Sequence, residues 1–186
     1  ISSYLGELKL INAKNPGVTV HRTENPKRWI PPTAGNAKMN VDAAMSRQGF
    51  RSIRVICRDQ TGMFVGASTF GFRNIVDPPT LEALAIREAL ALADDLYLRW
   101  IEVASDCKVV VEDLQKDNFA SYGAIVHEVI AHSSAFDLCS VRHEFGSSNY
   151  EAHNLARHAL SLDGGRRVWL GHPGNLPSFP VNIVTN

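Results

Sequence analysis

Apolar and polar residues alternate along three neighbouring segments in the first half of the chain. The segments are residues 38–46, 53–58 and 63–72. A period of two residues is typical of β-strands that bury one face. The links between the segments are short, and the second link, the Asp-Gln-Thr-Gly sequence at 59–62, suits a tight turn. The pattern therefore predicts three antiparallel strands in a meander.

The pattern changes after the third strand, where helical and strand segments follow each other. An Asp-Pro-Pro-Thr sequence starts the first helix, because proline is tolerated in the first helical turn. A strand that is reached through a helix is most simply parallel to the first strand. We therefore predict an α/β protein with a mixed five-stranded sheet flanked by helices. The predicted order is helix 80–96, strand 100–104, a short helix that opens at Ser105-Asp106, helix 122–135, strand 136–145 and helix 150–160.

Segments without a clean period flank this predicted domain. Residues 1–37 include a Trp-Ile-Pro-Pro sequence, and a residue that precedes proline is pushed towards extended geometry. We predict a lead-in or linker at 1–37, one domain at 38–162 and an extended C-terminal tail at 163–186. The first residue is Ile and not Met, so we expect a monomeric domain of a longer chain.

Composition narrows the class of protein. The 45% hydrophobic and 20% charged residues are ordinary for a soluble globular protein, and no apolar run reaches the length of a membrane span. The 19 basic residues balance the 19 acidic ones, so any nucleic-acid binding must rest on a local patch. Cys57, Cys107 and Cys139 lie far apart in apolar surroundings. They indicate reduced thiols in an intracellular protein, with nucleus or cytoplasm left open.

Three carboxylates occupy unusual places in this pattern. Asp42 lies in the middle of the first strand, where aspartate is depleted, and it needs a hydrogen-bond donor, a basic side chain or a metal as partner. Asp106 follows the fourth strand, and a helix packed on the sheet can bring Glu82 to the same spot. Three ionised carboxylates share a small volume only around a cation. Oxygen ligands favour Mg²⁺ or a similar hard ion.

Each carboxylate also has a simpler interpretation. Asp106 after Ser105 is a possible helix cap. Glu82 near a helix N-terminus gains roughly 0.3–1 kcal/mol from the helix dipole. A purely structural role explains Asp42 least well, because its strand neighbours are small and apolar.

Several short motifs occur in one order on these predicted elements. Together, over residues 29–160, they resemble the ribonuclease H-like superfamily, and more closely the plant reverse-transcriptase-like RNase H domain of retroelement-derived and stand-alone proteins. The resemblance implies a sheet of three antiparallel strands followed by two parallel strands. The motifs are Trp29-Ile-Pro-Pro with Gly35, Lys38-Met-Asn-Val-Asp-Ala-Ala44, Val55-Ile-Cys-Arg-Asp59 with Gly62, Glu82-Ala-Leu-Ala-Ile-Arg-Glu-Ala-Leu90, Val103-Ala-Ser-Asp-Cys107 with Val109-Val110, and Asn149 with Ala152-His153-Asn154-Leu155-Ala156.

The resemblance also implies an activity, a cofactor and a site. It implies endonucleolytic hydrolysis of RNA in an RNA–DNA hybrid with two Mg²⁺ or Mn²⁺ ions and no small-molecule cofactor. Asp42, Glu82 and Asp106 match the catalytic and metal-binding acids, and Asp42 is expected to bridge both ions. The fourth position, often Asp in the family, is His153 here. Histidine suits Mn²⁺ better than Mg²⁺, and the alternative for His153 is an exposed helix residue.

Two departures from the family pattern support other hypotheses. The glycine-rich stretch is reduced to Gly49 followed by Phe-Arg-Ser-Ile-Arg at 50–54, and the basic helical protrusion of some members is absent. The reduced glycine stretch, His153 and the neutral net charge favour a catalytically weak or inactive nucleic-acid-binding or interaction module, whereas the three acids favour a nuclease. A DNA-processing nuclease or transposase relative is a third possibility, which the Trp-Ile-Pro-Pro lead-in disfavours. His143 is a candidate for proton or product release. Candidate phosphate contacts, equally compatible with a solvated surface, are Arg47, Arg51, Arg54, Arg58 and Arg73.

Overall fold

A computed structural model describes residues 29–46, 49–73, 77–116, 121–146 and 165–171. Every predicted element between residues 38 and 145 is confirmed, and the helix predicted at 150–160 lies outside the described residues. Within these ranges, no helix is both long enough and apolar enough to cross a membrane. The elements in chain order are β1 Ala37–Met45, β2 Phe50–Arg58, β3 Phe64–Arg73, α1 Pro78–Asp95, β4 Trp100–Ser105, α2 Lys108–Lys116, α3 Gly123–Ser133, β5 Leu138–His143 and β6 Gly165–Leu170.

The strands form one mixed sheet in the order β5-β4-β1-β2-β3-β6. β1, β2 and β3 make the predicted antiparallel meander, with Val41 opposite Val55 at its centre. β4 pairs in parallel with β1, and β5 pairs in parallel with β4. This arrangement confirms the α/β class and the mixed sheet. It also places the carboxyl ends of β1 and β4 at the same edge of the fold.

Within the described residues the sheet has six strands, one more than the five that were predicted. β6 lies in the segment predicted as an extended tail and pairs antiparallel with β3, from Gly66 opposite Leu170 to Gly71 opposite Gly165. Only Val168 and Trp169 of β6 are partly buried, so its sequence carries little alternation. A strand whose partner lies far away in the sequence and whose side chains are mostly exposed leaves no clear local pattern.

Charged contacts fix β6 against the first helix. The Arg166 side chain donates to Glu88 Oε1 at 2.8 Å and to Asp95 Oδ2 at 2.6 Å. Both acceptors lie on α1, which packs across the sheet. The edge strand is thereby tied to the helix as well as to β3.

Small residues on α1 let the helix pack closely on the sheet. Ala85, Ile86, Ala89 and Ala93 are fully buried on the face that the sequence pattern predicted. They pack in one core with the inward residues of β1 and β2. Glu82 belongs to the same stripe, one turn nearer the start of the helix, so this packing carries its carboxylate to the edge of the sheet.

The start of α1 is fixed by a side-chain cap. Asp77 Oδ2 accepts hydrogen bonds from the Thr80 amide at 3.1 Å and from the Thr80 hydroxyl at 2.6 Å. We expect Asp77→Ala to lower the free energy of unfolding by about 1 kcal/mol, because the first-turn amide loses its acceptor. Urea unfolding measures this change. Asp77→Ser keeps an acceptor and should retain most of the stability, and an equal loss in both variants would contradict the capping role.

The lead-in docks on the sheet through residues that precede β1. The Trp29 indole donates to Asn40 Oδ1 at 3.0 Å, and the buried Lys38 amine donates to the Ile30 carbonyl at 2.6 Å. The same amine forms an ion pair with Glu144 at 2.5 Å. Burial lowers the pKa of Lys38, and the Glu144 carboxylate opposes that shift. Residues from Trp29 onward therefore pack on the domain.

Candidate active site

Three carboxylates meet at the edge of the sheet where β1 and β4 end. Asp42, Glu82 and Asp106 each offer an oxygen atom, and these atoms all lie within 4.8 Å of one another. The structure thus brings together the three acids that were predicted from the sequence. Their catalytic and metal-binding roles remain predictions.

The parallel pairing of β1 with β4 explains why two of these residues meet. The last pair of that ladder joins Asn40 to Ala104. Asp42 and Asp106 each lie two residues beyond this last pair, on segments that leave the ladder side by side. The register of a parallel pair therefore places both carboxylates at the same height, and α1 adds Glu82 from the side.

Ser105 links the cluster to the helix that follows it. Its fully buried hydroxyl accepts a hydrogen bond from the Cys107 amide at 3.1 Å and donates to Glu82 Oε2 at 3.4 Å. Ser105 therefore accepts an amide hydrogen directly ahead of α2. Sequence reasoning did not assign Ser105 a role in the site, although its place directly before Asp106 at a strand end was a usable signal.

Burial and mutual repulsion disfavour charge on two of the carboxylates. Burial, and then the Asp106 carboxylate, raises the pKa of Asp42 to about 7. Burial, followed by Asp42 and Asp106, raises the pKa of Glu82 to about 8. At neutral pH these two groups hold a substantial share of their protons. A divalent cation would replace those protons, and an all-oxygen donor set of three carboxylates fits a hard cation such as Mg²⁺ or Mn²⁺.

Arg54 lies directly across the sheet from Asp42. The two residues are paired in the antiparallel register of β1 and β2, so their side chains share one face. Arg54 is 2% exposed, and its Nε and Nη1 have no hydrogen-bond partner among the described residues. Burial lowers the pKa of its guanidinium to about 9, which leaves it protonated at neutral pH. Its charge therefore acts on the cluster.

The other candidate phosphate contacts are placed differently. Arg51 Nη1 donates to the Ser46 and Phe50 carbonyls at 3.1 Å, and Arg58 Nη1 donates to the Gly62 carbonyl at 2.7 Å. These bonds hold the two arginines to nearby backbone. Arg47 and the Arg73 side chain lie outside the described part of the chain.

His143 and Gly146 lie on the β5 side of the carboxylate cluster. His143 is paired with Ser105 across the β4–β5 ladder, and its ring contacts Phe145 edge to face with centroids 5.3 Å apart. A Cβ atom at Gly146 would lie 3.4 Å from Asp106 Oδ2, so a side chain there would crowd that carboxylate. A role of His143 in proton or product release remains a prediction. His153 lies outside the described residues.

Solved structures share this fold. The RNase H1 of the halophilic archaeon Halobacterium salinarum NRC-1 matches with a TM-score of 0.59 and 21% identity over 68% of this chain and 98% of that chain. The N-terminal RNase H domain of a Mycobacterium tuberculosis protein matches with a TM-score of 0.60 and 18% identity over 67% and 93%. LC11-RNase H1 in complex with an RNA/DNA hybrid matches with a TM-score of 0.55 and 15% identity over 67% and 96%. The chain therefore has the RNase H-like fold.

A protein-family model assigns the chain to a narrower group. The model described as reverse transcriptase-like matches residues 40–159, which is more than half of the chain. The chain belongs to this reverse transcriptase-like family, within the RNase H-like superfamily, as the sequence motifs predicted. A search of curated proteins found no match.

Proposed function

We propose that this domain is a metal-dependent ribonuclease H-type endonuclease that hydrolyses the RNA strand of an RNA–DNA hybrid. The observation that carries the proposal is the cluster of Asp42, Glu82 and Asp106, whose oxygen atoms lie within 4.8 Å of one another. The family match and the RNase H1 structures support the same reaction class. One of those proteins was solved with an RNA/DNA hybrid.

Asp42, Glu82 and Asp106, with His153, would hold two divalent ions, Mg²⁺ or Mn²⁺. Bound ions of this kind supply positive charge to the attacking water and to the leaving oxygen of a phosphodiester. The residues of this chain would orient the metal ligands and exclude bulk water. The Ser105 hydroxyl holds Glu82 in place, and the burial of Asp42 keeps bulk water from its carboxylate.

Selection for RNA would depend on its sugar and not on its bases. Contacts to 2′-hydroxyl groups across the shallow minor groove distinguish an RNA strand from a DNA strand. The chain has no formal net charge, so its affinity for the hybrid would come from a local surface. That affinity should weaken as salt concentration rises.

A cleavage panel tests the proposal. The purified chain is incubated with a hybrid whose RNA strand is labelled, and with duplex RNA, duplex DNA and single-stranded RNA of the same sequence. Each reaction is run in Mg²⁺, in Mn²⁺ and in EDTA. We expect cleavage of the RNA strand in the hybrid alone, and only with a divalent ion. Binding of the hybrid without cleavage in either metal would support the inactive binding module, and cleavage of duplex DNA would support a DNA-processing relative.

The hydrogen bond from Ser105 to Glu82 gives a second test. We expect Ser105→Ala to raise the Mn²⁺ concentration that gives half-maximal cleavage by about tenfold, because residues that orient metal ligands typically contribute that much. Ser140→Ala on the neighbouring strand β5 is the matched control and should leave this concentration unchanged. A wild-type value for Ser105→Ala would show that Glu82 needs no support from the hydroxyl.

A further inference from the structure

Arg54 places a fixed positive charge beside the carboxylate cluster. It is paired with Asp42 in the strand register, and directly opposed residues in antiparallel strands have Cβ atoms about 5 Å apart. Arg54 is 2% exposed, so its guanidinium is held inside the domain and not in solvent.

This charge is held at an energetic cost. A buried cation with unmatched N–H groups is unfavourable unless a nearby charge compensates it. Among the described residues, Arg54 Nε and Nη1 have no hydrogen-bond partner, and Asp42 is the carboxylate opposite. Its other cross-strand neighbour is Thr69 on β3, which is uncharged. The charge of Arg54 is thus directed at the cluster and has no separate ion pair within the described sheet face.

We propose that Arg54, acting through Asp42, lowers the affinity of the carboxylate cluster for divalent cations and raises its affinity for a substrate phosphate. This inference rests on the proposed function. A fixed positive charge repels a metal ion and attracts a phosphodiester, and both effects are stronger in a partly dry site than in bulk water. Arg54 would then keep the free protein from binding cations tightly and would favour binding of nucleic acid.

Removal of the Arg54 charge should strengthen cation binding and weaken hybrid binding, so two binding measurements can separate these effects. Isothermal titration with Mn²⁺ measures cation affinity in the absence of nucleic acid, and fluorescence anisotropy in EDTA measures affinity for a labelled hybrid. We expect Arg54→Met to bind Mn²⁺ about tenfold more tightly, equal to about 1.4 kcal/mol. We expect it to bind the hybrid about threefold more weakly. Arg54→Lys keeps the charge and should behave like the wild type in both measurements.

A matched variant on the same strand controls for the change in net charge. Arg58→Met removes one positive charge four residues further along the same strand, where Arg58 Nη1 donates to Gly62, and it should leave the Mn²⁺ affinity unchanged. Damage to the fold would weaken both kinds of binding in Arg54→Met, opposite to the tighter Mn²⁺ binding expected. If Arg54→Met does not fold, Arg54→Gln removes the same charge with less loss of polarity and carries the same expectation.

The outcomes separate this inference from the proposed function. Unchanged or weaker Mn²⁺ binding by the uncharged Arg54 variants overturns the role of Arg54. If Mn²⁺ binding is at the same time lost in Asp42→Asn, the cation site of the proposed function stands. Absence of Mn²⁺ binding in the wild type and in every Arg54 variant overturns both.

Discussion

Asp42→Asn should reduce cleavage of the RNA strand of a hybrid by about a thousandfold, as expected when a central charged group of a catalytic site is removed. Asp42 offers an oxygen within 4.8 Å of ligand atoms from both Glu82 and Asp106, so the substitution removes one of the three anionic donors of the cluster. Asparagine keeps the size of the side chain and replaces the anionic oxygen pair with a neutral amide. The measurement is the single-turnover rate in Mg²⁺ with the hybrid fully bound.

A carboxylate away from the cluster provides the control. Asp137 pairs weakly with Arg99 at 3.5 Å, and its side chain is 49% exposed. Asp137→Asn makes the same chemical change and should cleave at the wild-type rate. Cleavage by Asp42→Asn within tenfold of the wild type would mean that the reaction takes place elsewhere or comes from a contaminant.

In the metal-free protein, the stability contributed by Asp42 and Glu82 should fall as pH rises. The pKa of Asp42 is raised from 3.8 to about 7 and that of Glu82 from 4.5 to about 8, with burial as the largest cause of both shifts. Between these values the folded protein holds protons that the unfolded chain has lost. The stability that these two groups contribute is therefore full below about pH 4 and declines until about pH 8, at about 1.4 kcal/mol per pH unit for each extra proton held.

The same shifts predict how Asp42→Asn and a cation change stability. In EDTA, we expect Asp42→Asn to lose less stability than the wild type between about pH 4 and about pH 8, because the variant lacks one of the two carboxyl groups that hold extra protons in the folded state. Mn²⁺ should stabilise the wild type at the upper end of that range and leave the variant unchanged. Urea unfolding across the pH range, with and without Mn²⁺, measures both effects. Equal pH dependence in the two proteins would contradict the raised pKa of Asp42.

The fold was predictable where burial makes a local pattern. β1, β2 and β3 alternate because one face packs on α1, and α1 itself shows a stripe of small residues. β6 was not predictable, because its pairing with β3 and the contacts of Arg166 with α1 join parts of the chain far apart in the sequence. The sequence pattern within a strand does not show which distant strand or helix it will contact.

The site was predictable to a similar extent. An aspartate within a strand and another at a strand end indicated Asp42 and Asp106, and the parallel register then accounts for their meeting. Arg54 was predicted as a phosphate contact or a solvated residue. The structure buries it, together with Asn40 on the same face of the sheet. Polar residues are usually exposed, so their sequence pattern did not predict that they are buried.

Mn²⁺ titration calorimetry of the wild type and Asp42→Asn at neutral pH tests most directly whether the three carboxylates form a cation site. The raised pKa values of Asp42 and Glu82 mean that a bound cation must displace protons, which makes the heat depend on the ionisation enthalpy of the buffer. We expect the wild type to bind Mn²⁺ with proton release and Asp42→Asn to lose that binding. Equal Mn²⁺ binding by both proteins would contradict a cation site at Asp42, Glu82 and Asp106, and binding without proton release would contradict the raised pKa values of Asp42 and Glu82.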